Sequence, residues 1–212
     1  MGHGAVDVSS RVPLTCLALF AVVWTALAVA PRFREDWLLE NLLTVVALPA
    51  IVWSRRRFRF SDRAYVQITT FLILHTVGSH YTYSEVPIGT WARDALGLTR
   101  NHYDRVVHFS FGFLMLRPVR ELGFWRGRPG PVAELAFCVA AIALCSVLYE
   151  VIEWATAAIV DPAAGTAYLG TQGDQWDAQK DMALAVGGAV LAAVVEWRLD
   201  RRRPRYAGAT MR

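Results

Sequence analysis

Along this chain, long apolar windows are separated by short charged segments. Windows of the length needed to cross a bilayer, roughly 17 to 25 residues, recur at Val12 to Ala30, Trp37 to Trp53, Ala64 to His80, Val106 to Leu122, Val132 to Val160 and Ala178 to Trp197. The pattern predicts an all-α polytopic membrane protein, a bundle of about six transmembrane helices forming one integral membrane domain over 1–212. The first window follows Arg11 as a signal peptide would, but its run of about twenty apolar residues exceeds a usual secretory core. It reads as an uncleaved first span, with a cleaved export signal as the alternative.

No repeat, linker or low-complexity segment interrupts this order, and most connections are short. Two are longer. In "YTYSEVPIGTWARDALGLTRNHYD", Tyr81 to Asp104, Pro87 and Gly89 are expected to break any helix, leaving Thr90 to Leu96 as a short interfacial one anchored by Trp91. The other, "YLGTQGDQWDAQKDM", Tyr168 to Met182, runs straight into the last apolar window.

Composition agrees with the windows: 55% of the 212 residues are hydrophobic. The basic residues then orient the bundle. With the amino terminus inside, Arg11, the loops "SRRRFRFSDR" and "RPVRELGFWRGRPG" and the ending "EWRLDRRRPRYAGATMR" hold 16 of the 22 Lys and Arg. By the positive-inside rule this gives an N-in/C-in topology. The net charge of +4 therefore reports topology, and the scattered arginines make no case for nucleic acid. Cys16, Cys138 and Cys145 all fall within spans, where they read as small core residues.

Once the topology is drawn, ionisable groups gather at the outer side. Asp104 and His108 share a helix face at i, i+4, as do Asp177 and Asp181, while Glu150 and Glu153 are spaced i, i+3. His75 and His80 lie at the outer end of the third span. Groups of this kind at membrane depth cost a few kcal/mol each and turn inward toward partners or water. A bound cation, shared protons, or ion pairs to Arg100, Arg105 and Lys180 would offset their mutual repulsion.

A metal explains the residue types best, because facing helices of bundle proteins hold metals with imidazole and carboxylate. One His with several acids suits zinc, iron or manganese. The candidate ligands are His75, His108, Asp177 and Asp181, with Glu150 or Glu153 as the general base. Asp104, Arg105, Tyr83, Gln172, Asp174 and Gln179 complete the polar site. Each has a blander reading. Asp104 and Asp177 suit helix amino termini, His75 suits a hydrogen-bonded bundle position, and His80 suits an exposed loop. Glu150 and Glu153, which interrupt "CSVLYEVIEWATAAI", call for a functional or buried-network role. Tyr81, Tyr83, Trp91, Trp154, Tyr168 and Trp176 read as an outer interfacial belt, and Gly187 and Gly188, with Ala183 and Ala189, as a close-packing stretch.

Five ordered motifs carry a resemblance: "HTVGSHYTYSEVP", "NHYDRVVHFSFGF", Arg120-Glu121, "YEVIEW" and "LGTQGDQWDAQKDM". From about Leu38 onward the chain resembles a bacterial inner-membrane domain-of-unknown-function family. That likeness implies a multi-pass protein of the bacterial cytoplasmic (inner) membrane. A more distant likeness is to VanZ-like membrane proteins, whose D-[KR]-x-x-H-F element is matched by Asp104, Arg105, His108 and Phe109. In that comparison Glu150 matches a later glutamate, and Asp177 with Gly187 a final acidic, Gly-rich span. Glu153 and Asp181 depart from it, standing where Gln and Asn are usual, so this site is more acidic.

Three functions compete on these residues. One is metal-assisted hydrolysis or modification of a lipid or other amphiphilic substrate at the outer face. The second is a proton- or cation-coupled transporter, for which a homodimer would supply the second half that 212 residues lack. The third is a structural membrane protein whose polar cluster specifies the bundle.

Overall fold

The computed structural model describes residues 11–123, 130–160, 165 and 168–202. Helices occupy every window that the hydropathy pattern marked: α1 Val12–Ala28, α2 Arg34–Ser54, α3 Asp62–Tyr81, the short α4 Pro87–Leu96, α5 Tyr103–Glu121, α6 Pro131–Ala157 and α7 Asp177–Arg202. Local chemistry sets their ends. The Ser61 hydroxyl accepts the Ala64 amide at 3.2 Å to open α3, and Thr82 closes it in the left-handed conformation at φ 55°. Pro87 does not break a helix as expected; it begins one, since proline's fixed φ and missing N–H suit the first turn. Gly97, at φ 62°, ends α4.

Helices α2, α6 and α7 are long and apolar enough to cross a membrane, and α1 is a shorter apolar helix. Their large side chains face outward: Leu42, Val46, Leu144, Ile152 and Val190 are all exposed. In water such faces would be untenable. In lipid they are the solvated surface, and the protein is a polytopic membrane protein. Helices α3 and α5 are more polar because they sit in the middle and turn their polarity inward; Thr69, His75, Thr76 and Ser79 of α3 are buried.

Helix α3 packs against α1, α2 and α5, and α5 packs in turn against α6 and α7. The α5/α7 contact is the most intimate. A Cβ added at Gly112 would collide with the Ala185 carbonyl, and one at Gly188 with the Phe109 carbonyl. Gly188 therefore lets two backbones touch, as the sequence suggested. Gly187 does not share that role, since a Cβ there would meet nothing within 4 Å. Cysteine is likewise mixed: Cys138 is fully buried in the α5/α6/α7 core, while Cys145 is exposed on the outward face.

At the end carrying the basic loops, carboxylates and arginines tie the helices together. Glu121 accepts the Ser61 amide at 2.7 Å and its hydroxyl at 2.6 Å. Buried Glu196 of α7 meets Arg117 at 3.1 Å, Arg63 at 3.3 Å and Arg120 at 3.4 Å. Arg120 also reaches Glu134 at 3.2 Å and Asp200 at 2.7 Å. The opposite end holds the other polar group of the fold.

Candidate metal centre

The parallel run of α5 beside α7 brings the first turns of the one beside those of the other. Asp104 and His108 lie one turn apart on α5, and Asp181 faces them from α7. One ligand-type atom from each of these three side chains falls within a 4.8 Å group. His108 Nε2 is 3.4 Å from Asp104 Oδ1 and 3.6 Å from Glu150 Oε1 on α6. Three helices thus present one imidazole and three carboxylates to one point.

The partners are incomplete in a telling way. Asp181 is 2% exposed and Glu150 9% exposed, yet Asp181 Oδ1 and Glu150 Oε1 are buried without a hydrogen-bond partner among the described residues. A buried carboxylate oxygen left bare is costly. Bare oxygens around an imidazole nitrogen are what a hard or borderline cation takes up.

The other expected ligands lie elsewhere. Both ring nitrogens of buried His75 are engaged: Nε2 lies 3.0 Å from the Glu40 carbonyl, and Nδ1 lies 2.5 Å from the Tyr83 hydroxyl. Only a donor can serve a carbonyl, so Nε2 carries the proton and Nδ1 accepts from Tyr83. Burial holds the Tyr83 hydroxyl far above its ordinary pKa, which keeps it a donor. This matches the blander reading of His75. His80 is not loop-exposed: it ends α3, half-buried, with Nδ1 2.7 Å from the Leu27 carbonyl of α1.

Asp177 is buried but belongs to an ion-paired latch above the cluster. Arg100 embraces it with both guanidinium nitrogens, one bond at 3.2 Å. Arg105 reaches Asp177 at 3.3 Å and Asp174 at 2.5 Å, and Lys180 holds Asp174 at 2.6 Å. The Lys180 ammonium holds the Asp174 carboxyl down at about 2. Gln172, in the left-handed region at φ 50°, accepts the Asn101 amide and donates to the Asn101 carbonyl, both at 2.9 Å. These bonds fasten the 170–176 segment over the start of α5. Gln179 points away and is exposed.

Glu153 enters a neighbouring network instead. Tyr149 donates to Glu40 Oε2 at 2.9 Å, and Glu153 follows Tyr149 by one turn of α6. Glu40, Tyr149 and Asn101 were not among the residues singled out from sequence, whereas Arg100 takes the ion-pairing role expected of it. Glu40 carried a usable signal, since it interrupts an apolar window just as Glu150 does. The interfacial belt is smaller than expected: Trp91, Trp154 and Trp176 are exposed, whereas Tyr168 is buried and Tyr83 turns inward to His75.

The comparisons with known proteins bear on the whole chain. The family model described as "Predicted membrane protein (DUF2238)" matches residues 12–202. The chain belongs to this family. It is also similar to the inner membrane protein YjdF of Escherichia coli (strain K12), 36% identical over 205 residues, covering 94% of this chain and 93% of that one. No solved structure matches it. Family membership and the outward apolar faces together make this an integral membrane protein of the inner membrane, embedded in lipid. Every residue of the cluster, from Asp104 to Asp181, falls inside the matched region.

Proposed function

We propose that this DUF2238 member is a metal-dependent membrane enzyme that hydrolyses or otherwise modifies an amphiphile at the outer face of the bundle. The observation that carries the reading is the convergence of Asp104, His108 and Asp181 within 4.8 Å, with Asp181 Oδ1 and the neighbouring Glu150 Oε1 buried and lacking hydrogen-bond partners among the described residues. Zinc, iron or manganese would be held by these three side chains, leaving positions for water and substrate. A metal so held would supply Lewis-acid chemistry, acidifying water and polarising a carbonyl or phosphoryl oxygen.

The chain's own residues supply the rest. Glu150, 3.6 Å from His108, is placed to accept a proton from that water. The latch of Arg100, Arg105, Asp174 and Asp177 covers the cluster on its aqueous side, with Lys180 at its exposed rim. Trp91, Trp154 and Trp176 mark the headgroup level. Helix α4 exposes Ile88, Trp91 and Leu96, so an amphiphile in the outer leaflet is the natural substrate. The positive-inside rule puts this end of the bundle outside.

Elemental mass spectrometry of the detergent-purified protein tests the reading. About one equivalent of a single transition metal is expected, lost in Asp181→Asn and in His108→Ala and retained in Asp177→Asn, whose residue belongs to the latch. Folded protein that takes up none of zinc, iron or manganese overturns the proposal. The cluster would then be a proton-linked relay or a network that specifies the bundle.

A further inference from the structure

At the outer end of the bundle α1 and α2 meet: the Trp24 indole donates to Asn41 Oδ1 at 2.6 Å, and its ring lies 5.5 Å from that of Trp37. Toward the basic end a shallow groove opens between the two helices, floored by α3. Pro49 of α2 lies beside it and cannot donate the bond that would hold α2 straight. Leu17 and Phe20 form one wall, Leu48 and Ile51 the other, and Ile68 and Leu72 the floor.

The mouth of this groove differs from its depth. Arg55 lines it, and exposed Arg56 and Arg57 follow in sequence. Arg57 stacks over Trp53 at 5.5 Å, which places a cation and an indole at one level, as at a membrane interface. Tyr65, also lining the groove, is 7% exposed, and its hydroxyl has no hydrogen-bond partner among the described residues. Thr69 adds a second hydroxyl nearby. A wholly apolar occupant would leave that phenol bare.

We infer that the groove is a binding site for one anionic phospholipid of the membrane leaflet at the basic end. An acyl chain lies between α1 and α2, the phosphate meets Arg55, and a lipid oxygen accepts from Tyr65. Burying an acyl chain against these walls is favourable relative to water, although lipid tails in the bilayer offer much the same environment. Preference over bulk lipid therefore comes from the polar mouth. An anionic headgroup answers the run of arginines, which a zwitterionic one does only in part.

Native mass spectrometry of the delipidated full-length protein, titrated separately with phosphatidylglycerol and with phosphatidylcholine of identical chains, decides the matter. One phosphatidylglycerol adduct per chain is expected, at about fivefold higher affinity than phosphatidylcholine, the effect of one arginine near an anionic surface. Arg55→Gln should erase the preference, and Thr69→Trp should displace both lipids by filling the groove. Tyr65→Phe removes only the donor and should weaken the phosphatidylglycerol adduct, which keeps the test decisive if the arginine variant fails to fold. Equal binding of the two lipids, or binding indifferent to these variants, overturns the proposal. A protein dimer whose formation Thr69→Trp abolishes also overturns it, by giving the face to a second copy.

Discussion

Tyr149 of α6 and Glu40 of α2 are joined by a 2.9 Å hydrogen bond between hydroxyl and carboxylate inside the bundle. Glu40 is 4% exposed, so this hydroxyl is a principal solvation of one carboxylate oxygen at membrane depth. The backbone carbonyl of the same residue receives His75. One residue of α2 therefore ties α2 to both α3 and α6, beside the candidate metal cluster.

Removing the donor tests that tie. Tyr149→Phe keeps the ring but strands a buried carboxylate oxygen, at a cost of about 1–3 kcal/mol. The expected outcome is a clearly lower melting temperature in detergent. Glu40→Gln still accepts from Tyr149 and gives up a buried charge, so it should be milder. Metal content should survive in both, because neither side chain belongs to the Asp104, His108 and Asp181 group.

The two adjacent glycines of α7 should behave oppositely. Gly188→Ala places a methyl against the Phe109 carbonyl, where rigid backbone cannot give way, while Gly187→Ala meets open space. In a helix interior, alanine is favoured over glycine by about 1 kcal/mol where it fits. Gly187→Ala is therefore expected to be neutral or stabilising in thermal unfolding. Gly188→Ala should lower the melting temperature and, by forcing α7 away from α5, lower metal occupancy. Equal behaviour of the two variants would mean that the helices do not approach as closely as described.

How much of this was legible in sequence depends on what kind of signal each residue leaves. A span is a sum over some twenty side chains, roughly, so the six windows, now α1 to α3 and α5 to α7, survive local irregularity, and their ends moved by only a few residues. Pairing leaves no such signal. Asp104, Asp177 and Asp181 look alike as acids at helix starts, and only the rotation of α5 against α7 decides that Asp181 meets His108 while Asp177 turns to Arg100. His75 was drawn toward the metal by its type alone; its ring is consumed by a backbone carbonyl, which no residue pattern announces. Glu40 was legible by the argument applied to Glu150, a carboxylate in the middle of an apolar window, and that argument extends to every such acid in the chain.

The latch over the cluster should loosen in acid. Asp174 has a folded-state pKa of about 2, below its ordinary 3.8, with the hydrogen bond from Lys180 as the largest cause. A carboxyl so depressed contributes its stabilisation fully above pH 3.8 and loses it as pH falls toward 2. Hydrogen exchange at the Trp176 amide, which donates to Asp174 Oδ1 at 3.1 Å, reads this out. Relative to Asp174→Asn, protection should fall across that window. Lys180→Gln should move the midpoint up toward 3.8. Protection that is flat in both proteins would show that the latch does not depend on this carboxylate.

At the opposite end Glu196 should be the residue on which the basic loops depend. It is 4% exposed and faces Arg63, Arg117 and Arg120 within 3.4 Å. Its position on α7 makes it the meeting point of α3, α5 and α7. Removing one partner of a buried ion pair costs more than the pair contributes, about 3–5 kcal/mol, because the remaining charges stay buried without a counterion. The guanidinium groups here are not equally exposed: Arg63 is 47% exposed and turns to water, while Arg117 at 19% and Arg120 at 18% do not. Arg120 keeps Glu134 and Asp200, and Arg117 keeps Glu121. Glu196→Ala is therefore expected near the lower end of that range, and Glu196→Gln, which still accepts from Arg117, to be milder. The double variant Glu196→Gln, Arg117→Gln also takes the guanidinium from Glu121, so it should be no more stable than Glu196→Gln. Melting temperatures of the three proteins measure this, and a double variant more stable than Glu196→Gln would show that Glu121 does not compensate Arg117 once Glu196 is neutral.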